Sequence, residues 1–314
     1  MFIGVDIGGT NIKCGVVDSS GSILMSNSFK TETGMGPSWN LRQIKNYIFD
    51  MIGYYPSVQS IGIGVPGIID KSGLLHVSPN LPEWHGLNIH DDLKKDFNLF
   101  IVVDNDANAA AVAELEIGSG INYNDFIYVT LGTGIGGAII INKTIFRGTH
   151  GGAGEIGHTI INYDLINEKI QSYRQGTLEE LAGRKKIISN YELRTTKDAL
   201  IKSSNVEEVD VFYIAKAAQE GEKEAIECLR EKGEIIGIGL ASAMNLLDIP
   251  VAIIGGGISQ SGDILFDAIR KTIKQRSLPT ISERFDVKEA HFKSDTGIIG
   301  AAMLAANKLK ENKR

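Results

Sequence analysis

The chain has 314 residues, 43% of them hydrophobic and 22% charged, with a formal net charge of −6. That length accommodates two domains of ordinary size, each with its own core, and the composition excludes a disordered chain. The acidic balance excludes an electrostatic case for nucleic acid or an anionic membrane as partner, so an anionic substrate requires local positive groups or a metal.

The N-terminus, MFIGVDIGGT, reaches Asp6 and glycines at once, without the basic and apolar stretches of a secretory leader. Residues 2–24 read as strand, Gly-Gly-Thr turn, strand, Ser-Ser-Gly turn and strand, a β-meander. Between 39 and 52, Leu41, Ile44, Tyr47, Ile48 and Met51 recur at helical spacing. A strand at 60–65 runs into Gly-Val-Pro-Gly, a short buried strand occupies 100–103, and a helix over 107–117 stops at Gly118.

From Phe126, FIYVTLGTGIGGAIIINKTIF repeats the opening plan of strand, glycine turn, strand, Asn-Lys turn and strand, so the sequence carries a duplicated unit. Helices follow at 177–188, 210–219 and 222–247, then the strand VAIIGGG, then helices at 263–274 and 297–310. The apolar run at 235–247 is interrupted by Gly and Ser and is too short to cross a bilayer. Cys14 and Cys228 form no C-x-x-C spacing, which fits a reduced, cytoplasmic setting.

Gly132, Gly134 and Gly137 match G-x-G-x-x-G, the spacing of a dinucleotide loop. Such a loop must open a helix, whereas this one opens the β-branched strand AIIIN, which argues against an oxidoreductase. A glycine hairpin can instead present uncovered backbone N–H groups to phosphate, and it can equally be a plain turn. Two equivalent hairpins weigh towards phosphate.

Five motifs in order, DIGGTNIK at 6–13, DNDANAAA at 104–111, LGTGIGGAI at 131–139, GGAGEIGH at 151–158 and IIGGGIS at 253–259, resemble the ROK family of bacterial sugar kinases within the hexokinase/actin superfamily. The resemblance covers nearly the whole chain. It implies an α/β protein of two ribonuclease-H-like domains of actin/hexokinase type, with an active-site cleft between them. The domains are expected at 1–118, joined by the C-terminal helix at 297–314, and at 119–296. The implied reaction is ATP-dependent phosphorylation of a hexose.

Phosphoryl transfer needs the terminal phosphate held in line, its charge neutralised and the hydroxyl proton accepted. Asp6, ahead of Gly8, Gly9 and Thr10, is a candidate to orient Mg²⁺ through water, and alternatively an Asx-type turn residue. Thr10 and Thr133 occupy similar places in the two hairpins and can donate hydroxyls to phosphate or to their own turns. Asp106 follows a strand and opens a helix, so it reads as an N-cap or as a base. The resemblance makes it the general base on the sugar 6-hydroxyl and gives Asn105 another hydroxyl.

On the same ground Glu155 and His158, otherwise structural or surface residues, join Glu179 in holding sugar hydroxyls, with Asn80 and Gly67 as further sugar-side positions. The nucleotide side is then Asp6, Gly8, Gly9, Thr10, Lys13, Gly132, Thr133 and Gly134, with Gly256 and Gly257 beside adenosine, although a strand-to-helix turn has the same appearance there. Many family members bind a structural zinc through one histidine and three cysteines. Here those cysteine positions are Ile170, Ser172 and Thr177, so no zinc is expected, and the 159–175 loop is expected to be ordered by packing and hydrogen bonds instead, through Tyr163, Ile166 and Tyr173.

GVPGIID and PNLPEW resemble the glucose-phosphorylating members, so a glucokinase is the leading expectation. N-acetylmannosamine kinase is the nearest alternative, followed by kinases of fructose, N-acetylglucosamine, allose or β-glucosides. A sugar-binding regulator is less favoured, because the sequence enters its first glycine hairpin directly after residue 6 with no helix-turn-helix segment ahead of it. An actin- or chaperone-like ATPase would lack the Glu155, His158 and Glu179 set. Dimers are common in the family, and a homodimer is expected.

Overall fold

The computed structural model describes residues 1–167, 169, 172–195, 209–293 and 295–312. The strands are β1 (Phe2–Ile7), β2 (Asn11–Val17), β3 (Ile23–Lys30), β4 (Ser60–Val65), β5 (Ile68–Ile69), β6 (Leu75–Val77), β7 (Phe100–Asn105), β8 (Phe126–Leu131), β9 (Ile135–Ile141), β10 (Thr144–Ile145), β11 (Val251–Gly255) and β12 (Asp286–Glu289). The helices are α1 (Gly36–Tyr54), α2 (Ile89–Lys94), α3 (Asp106–Ile117), α4 (Leu178–Ala182), α5 (Arg184–Arg194), α6 (Val211–Gln219), α7 (Lys223–Leu247), α8 (Asp263–Arg276), α9 (Pro279–Ser282) and α10 (Thr296–Glu311). The chain divides into two compact units, Met1–Asn124 with Ala138–Ala153 and Ser294–Arg314, and Asp125–Gly137 with Gly154–Lys293.

In the first unit the sheet order is β3-β2-β1-β4-β7. The opening meander pairs antiparallel, and β1, β4 and β7 run parallel. Every residue of β4 is buried, as expected of a parallel strand covered on both faces. Leu41, Ile44, Ile48 and Met51 of α1 are buried, and each such side chain contributes about 1.5–3 kcal/mol on full burial.

The C-terminal helix α10 lies directly on strands β1 and β4. A Cβ at Gly62 would stand 1.7 Å from the Ala301 carbonyl oxygen, and one at Gly4 would stand 1.9 Å from that of Ile298. Glycines in mid-strand therefore let the helix backbone approach the sheet backbone, an arrangement completed by the small residues Ala301, Ala302 and Ala305.

The second five-stranded sheet, ordered β10-β9-β8-β11-β12, repeats the same plan, with β8, β11 and β12 parallel. The helix expected over 177–188 is two helices, because Gly183, at φ −70° and ψ 165°, is the C-cap of α4 and the N-cap of α5. That break leaves Glu179 on a short helix of its own.

Of the residues expected to order the 159–175 loop, Tyr163 is 77% and Tyr173 70% exposed, Ile166 is half-buried and Tyr173 stacks on His158; Ile170 lies outside the described residues. The expected hydrogen bonds close the loop. Ile161 and Asn162 N–H donate to the Gly176 carbonyl at 2.7 and 3.1 Å, and Asn167 N–H donates to Gln175 Oε1 at 2.6 Å.

Candidate active site

The first unit assembles the charged part of the site at the carboxyl ends of β1 and β7. Between β1 and β2 the Gly8-Gly9-Thr10 hairpin is closed by Gly8 N–H donating to the Asn11 carbonyl at 3.0 Å. It is anchored by the Thr31 hydroxyl, which donates to the Gly8 carbonyl at 2.7 Å. Gly9 and Thr10 are exposed, and Gly9 has no side chain to cover its backbone. A Cβ at Gly9 would meet the Asn80 backbone at 3.4 Å, which places Asn80 beside this hairpin.

Asp6 pairs across the strands with Lys13, whose Nζ lies 3.2 Å from Asp295 Oδ1. Burial, with the nearby Asp106 carboxylate adding to it, raises the Asp6 pKa to about 6; Lys13 lowers it and Asp295 raises it again. Its carboxylate also sits on Gly297 at the start of α10, where a Cβ would fall 2.1 Å from Asp6 Oδ2. Asp6 is thus acted on by two further carboxylates and one cation, a set short of positive charge that suits a hydrated divalent cation. Among the described residues no group of three or more His, Cys, Asp and Glu side chains is arranged to hold a metal ion directly.

At the β7–α3 junction Asp104, Asn105 and Asp106 have separate roles. Asn105 is the N-cap: its Oδ1 accepts from Ala107 and Asn108 N–H at 2.8 and 3.3 Å, while its Nδ2 donates to the Gly67 carbonyl at 3.0 Å. Asp106 therefore stands one position inside the helix, where its Oδ1 also accepts from Ala107 N–H at 2.9 Å. The macrodipole of α3 favours an anion there. With Oδ1 on two helix N–H groups and one Nδ2 hydrogen on Gly67, Asn105 has its second Nδ2 hydrogen for the sugar hydroxyl expected of it.

Asp104, only 5% exposed, was not distinguished by sequence, yet it organises the turn. Its Oδ1 accepts from Asn105 N–H at 2.8 Å and from Asn108 Nδ2 at 2.7 Å. Its Oδ2 takes both Arg147 Nε at 2.9 Å and Arg147 Nη2 at 2.5 Å. A buried carboxylate demands this many donors, and the guanidinium fork supplies two of them.

In the second unit the Gly132-Thr133-Gly134 hairpin is closed by Gly132 N–H donating to the Gly134 carbonyl at 2.9 Å. Glu179 braces it: Oε2 accepts from Ile135 N–H at 2.9 Å, and a Cβ at Gly134 would lie 2.1 Å from that oxygen. Glu179 Oε1 pairs with Arg174 Nη1 at 3.1 Å. Gly256, at φ 88°, follows β11 and sits against Leu131, the residue before the hairpin, with a would-be Cβ 2.4 Å from the Leu131 carbonyl. Gly257 begins the 3-10 turn Gly257–Ser261, so the segment expected beside adenosine packs next to the hairpin expected beside phosphate.

Glu155 and His158 are also neighbours, with Oε2 and Nδ1 3.2 Å apart. The two are not aligned as a hydrogen bond, and the buried Nδ1 has no partner of that kind. Even so, the adjacent Glu155 carboxylate raises the His158 pKa, opposed by burial and by Arg174 and supported by Glu179. Tyr173 stacks on the imidazole at 5.8 Å between centroids and 23° between planes.

Known proteins share this arrangement of elements along the whole chain. The ROK family matches residues 2–308. A glucokinase of Thermotoga maritima is 28% identical over 98% of both chains. A xylose repressor of Caldicellulosiruptor bescii is 30% identical over 98% of this chain and 79% of its own. A crystal structure of a ROK family glucokinase from Streptomyces griseus, in complex with glucose and AMPPNP, is 32% identical, superposes with a TM-score of 0.79, and is covered over 98% of this chain and 99% of that one.

Proposed function

We infer that this chain, which belongs to the ROK family and has its actin/hexokinase-type α/β fold, transfers the terminal phosphate of ATP to the 6-hydroxyl of a hexose, with glucose the favoured substrate. The glucokinase names of the relatives support the chemistry. The observation that carries it is the division of labour at the β7–α3 junction. Asn105 takes the N-cap, Asp106 stands one position inside the helix with Oδ1 on Ala107 N–H, and Asp104 with Arg147 fixes the turn that bears it.

In this reading Asp106 accepts the proton of the attacking hydroxyl, a task that contributes about 10²- to 10⁴-fold to rate. Glycine N–H groups of the two hairpins, with Thr10, Thr133 and Lys13, take phosphate oxygens, and Gly256 and Gly257 lie beside adenosine. Glu155, His158, Glu179, Asn80 and the Asn105–Gly67 pair take sugar hydroxyls, which must be re-paired as they leave water. Magnesium, when bound, would neutralise phosphate charge, with Asp6 holding its water shell.

The test is a panel of hexoses with ATP and Mg²⁺, followed by Asp106→Asn on the best substrate. The variant is expected to keep its melting temperature and lose about 10²-fold or more in kcat. An unchanged kcat removes Asp106 from the role of base. N-acetylmannosamine as the best substrate would move the chain from glucokinase to the nearest alternative.

The xylose repressor relative supports a second reading, a sugar-responsive regulator, which binds sugar without releasing ADP. No helix among the described residues is long and apolar enough to cross a membrane, and Cys14 and Cys228 are buried and free. A reduced, cytoplasmic homodimer completes the proposal, and sedimentation tests the assembly.

A further inference from the structure

Two residues of the 159–175 loop, Tyr173 and Arg174, touch two of the side chains assigned to sugar, and no motif singled them out for a role in sugar recognition. The imidazole of His158 needs a fixed plane to present one edge to a hydroxyl. Its buried Nδ1 lies 3.2 Å from Glu155 Oε2 but out of hydrogen-bond alignment, so that contact alone does not set the ring plane. The Tyr173 ring, 23° from parallel at 5.8 Å, supplies that plane by stacking.

Arg174 acts on the other side chain. Its Nη1 lies 3.1 Å from Glu179 Oε1, while Glu179 Oε2 is held at 2.9 Å by Ile135 N–H. Both oxygens are thereby oriented, and a carboxylate with about four acceptor sites retains lone pairs for hydroxyl donors. The two positioning residues also hold each other, since the Arg174 guanidinium lies 5.7 Å from the Tyr173 ring centroid. The Arg174 backbone is pinned in turn by the Thr177 hydroxyl, which donates to its carbonyl at 2.8 Å.

We propose that Tyr173 and Arg174 are positioning residues of the sugar site, the tyrosine fixing the ring plane of His158 and the arginine fixing the carboxylate of Glu179. The assignment rests on the sugar-kinase reading above for the word sugar, but not for the contacts. The charged groups acting on His158 are Glu155, Glu179 and Arg174. Removing the arginine takes away the one cation among them, so the imidazole should titrate at higher pH.

The experiment uses the full chain and the best hexose from the panel. Tyr173→Ala is expected to raise the sugar KM roughly three- to tenfold, with kcat and the ATP KM within about twofold, and Tyr173→Phe to restore it. Arg174→Met is expected to raise the sugar KM by a similar factor and to move the His158 titration, followed by NMR of labelled histidine, to higher pH; Arg174→Lys should keep the titration in place. Both side chains are substantially exposed, so melting temperatures should hold and exclude loss of fold as the cause.

An unchanged sugar KM in both variants, with an unmoved His158 titration, overturns the proposal. If the wild-type chain phosphorylates no hexose, the kinase reading fails separately. Calorimetric sugar affinity and the His158 titration then decide the proposal: weakened binding and a moved titration uphold it, and no change in either overturns it.

Discussion

In the first glycine hairpin the residue two places before the leading glycine is Asp6, partly buried and facing the charges of Asp106 and Asp295; in the second the same place holds the neutral Thr130. Each hairpin has three residues between its strands, and each is closed by a glycine N–H donating across the turn. The first therefore carries its own fixed charge. The second borrows a carboxylate from α4, since Glu179 reaches Ile135 N–H and lies against Gly134. Two copies of one backbone plan have diverged in where their negative charge comes from.

The sharpest way to break the comparison is to remove the charge from the first hairpin. Asp6→Asn is expected to lower kcat about 10²-fold, whereas Thr130→Val at the matching place costs no more than about threefold. Stability should respond in the opposite sense. Folding raises the Asp6 pKa from 3.8 to about 6, so between these values the folded state holds a proton that the unfolded chain has released. Wild-type stability then declines as pH rises through that window and is lower above it by about 3 kcal/mol. In metal-free buffer Asp6→Asn removes the decline and melts higher at neutral pH.

A smaller effect tests the borrowed carboxylate. Gly134→Ala drives a Cβ into Glu179 Oε2 and should raise the KM for ATP and for sugar roughly tenfold, by displacing the brace. Gly132→Ala meets nothing within 4 Å. It should leave the melting temperature alone, so a rise in its ATP KM reports obstruction of phosphate approach. If Gly134→Ala leaves both constants alone, Glu179 is not a brace.

The smallest expected effect concerns the two threonines. Thr10→Val and Thr133→Val should each raise the ATP KM by about fivefold, the loss of one hydrogen bond. A rise in one variant alone would assign phosphate to a single hairpin.

Much of this was legible from residue types. Glycine turns between β-branched runs identified both meanders, and a strand where a helix should open argued against a dinucleotide loop; β9 begins at Ile135, so Gly137 lies within it rather than ahead of it. The Asn105–Asp106 pair marked a helix start, but two good capping residues in succession cannot reveal which one caps. The break at Gly183 escaped a helical spacing that continues across it. In the 159–175 loop the expected hydrogen bonds are present, from Ile161 and Asn162 to Gly176, whereas Tyr163, expected to pack, is exposed.

The sequence by itself determined the local elements, the doubled plan and the family, since turns, strands and helices follow from residues adjacent in the chain. Only the tertiary structure decided that Asp104 meets Arg147, that Glu179 meets Ile135 N–H and that Asp6 lies on Gly297. Each of these contacts joins segments far apart along the chain. Partial burial makes an unpaired charge or N–H group costly, which drives the first two pairings, and no local pattern records that constraint.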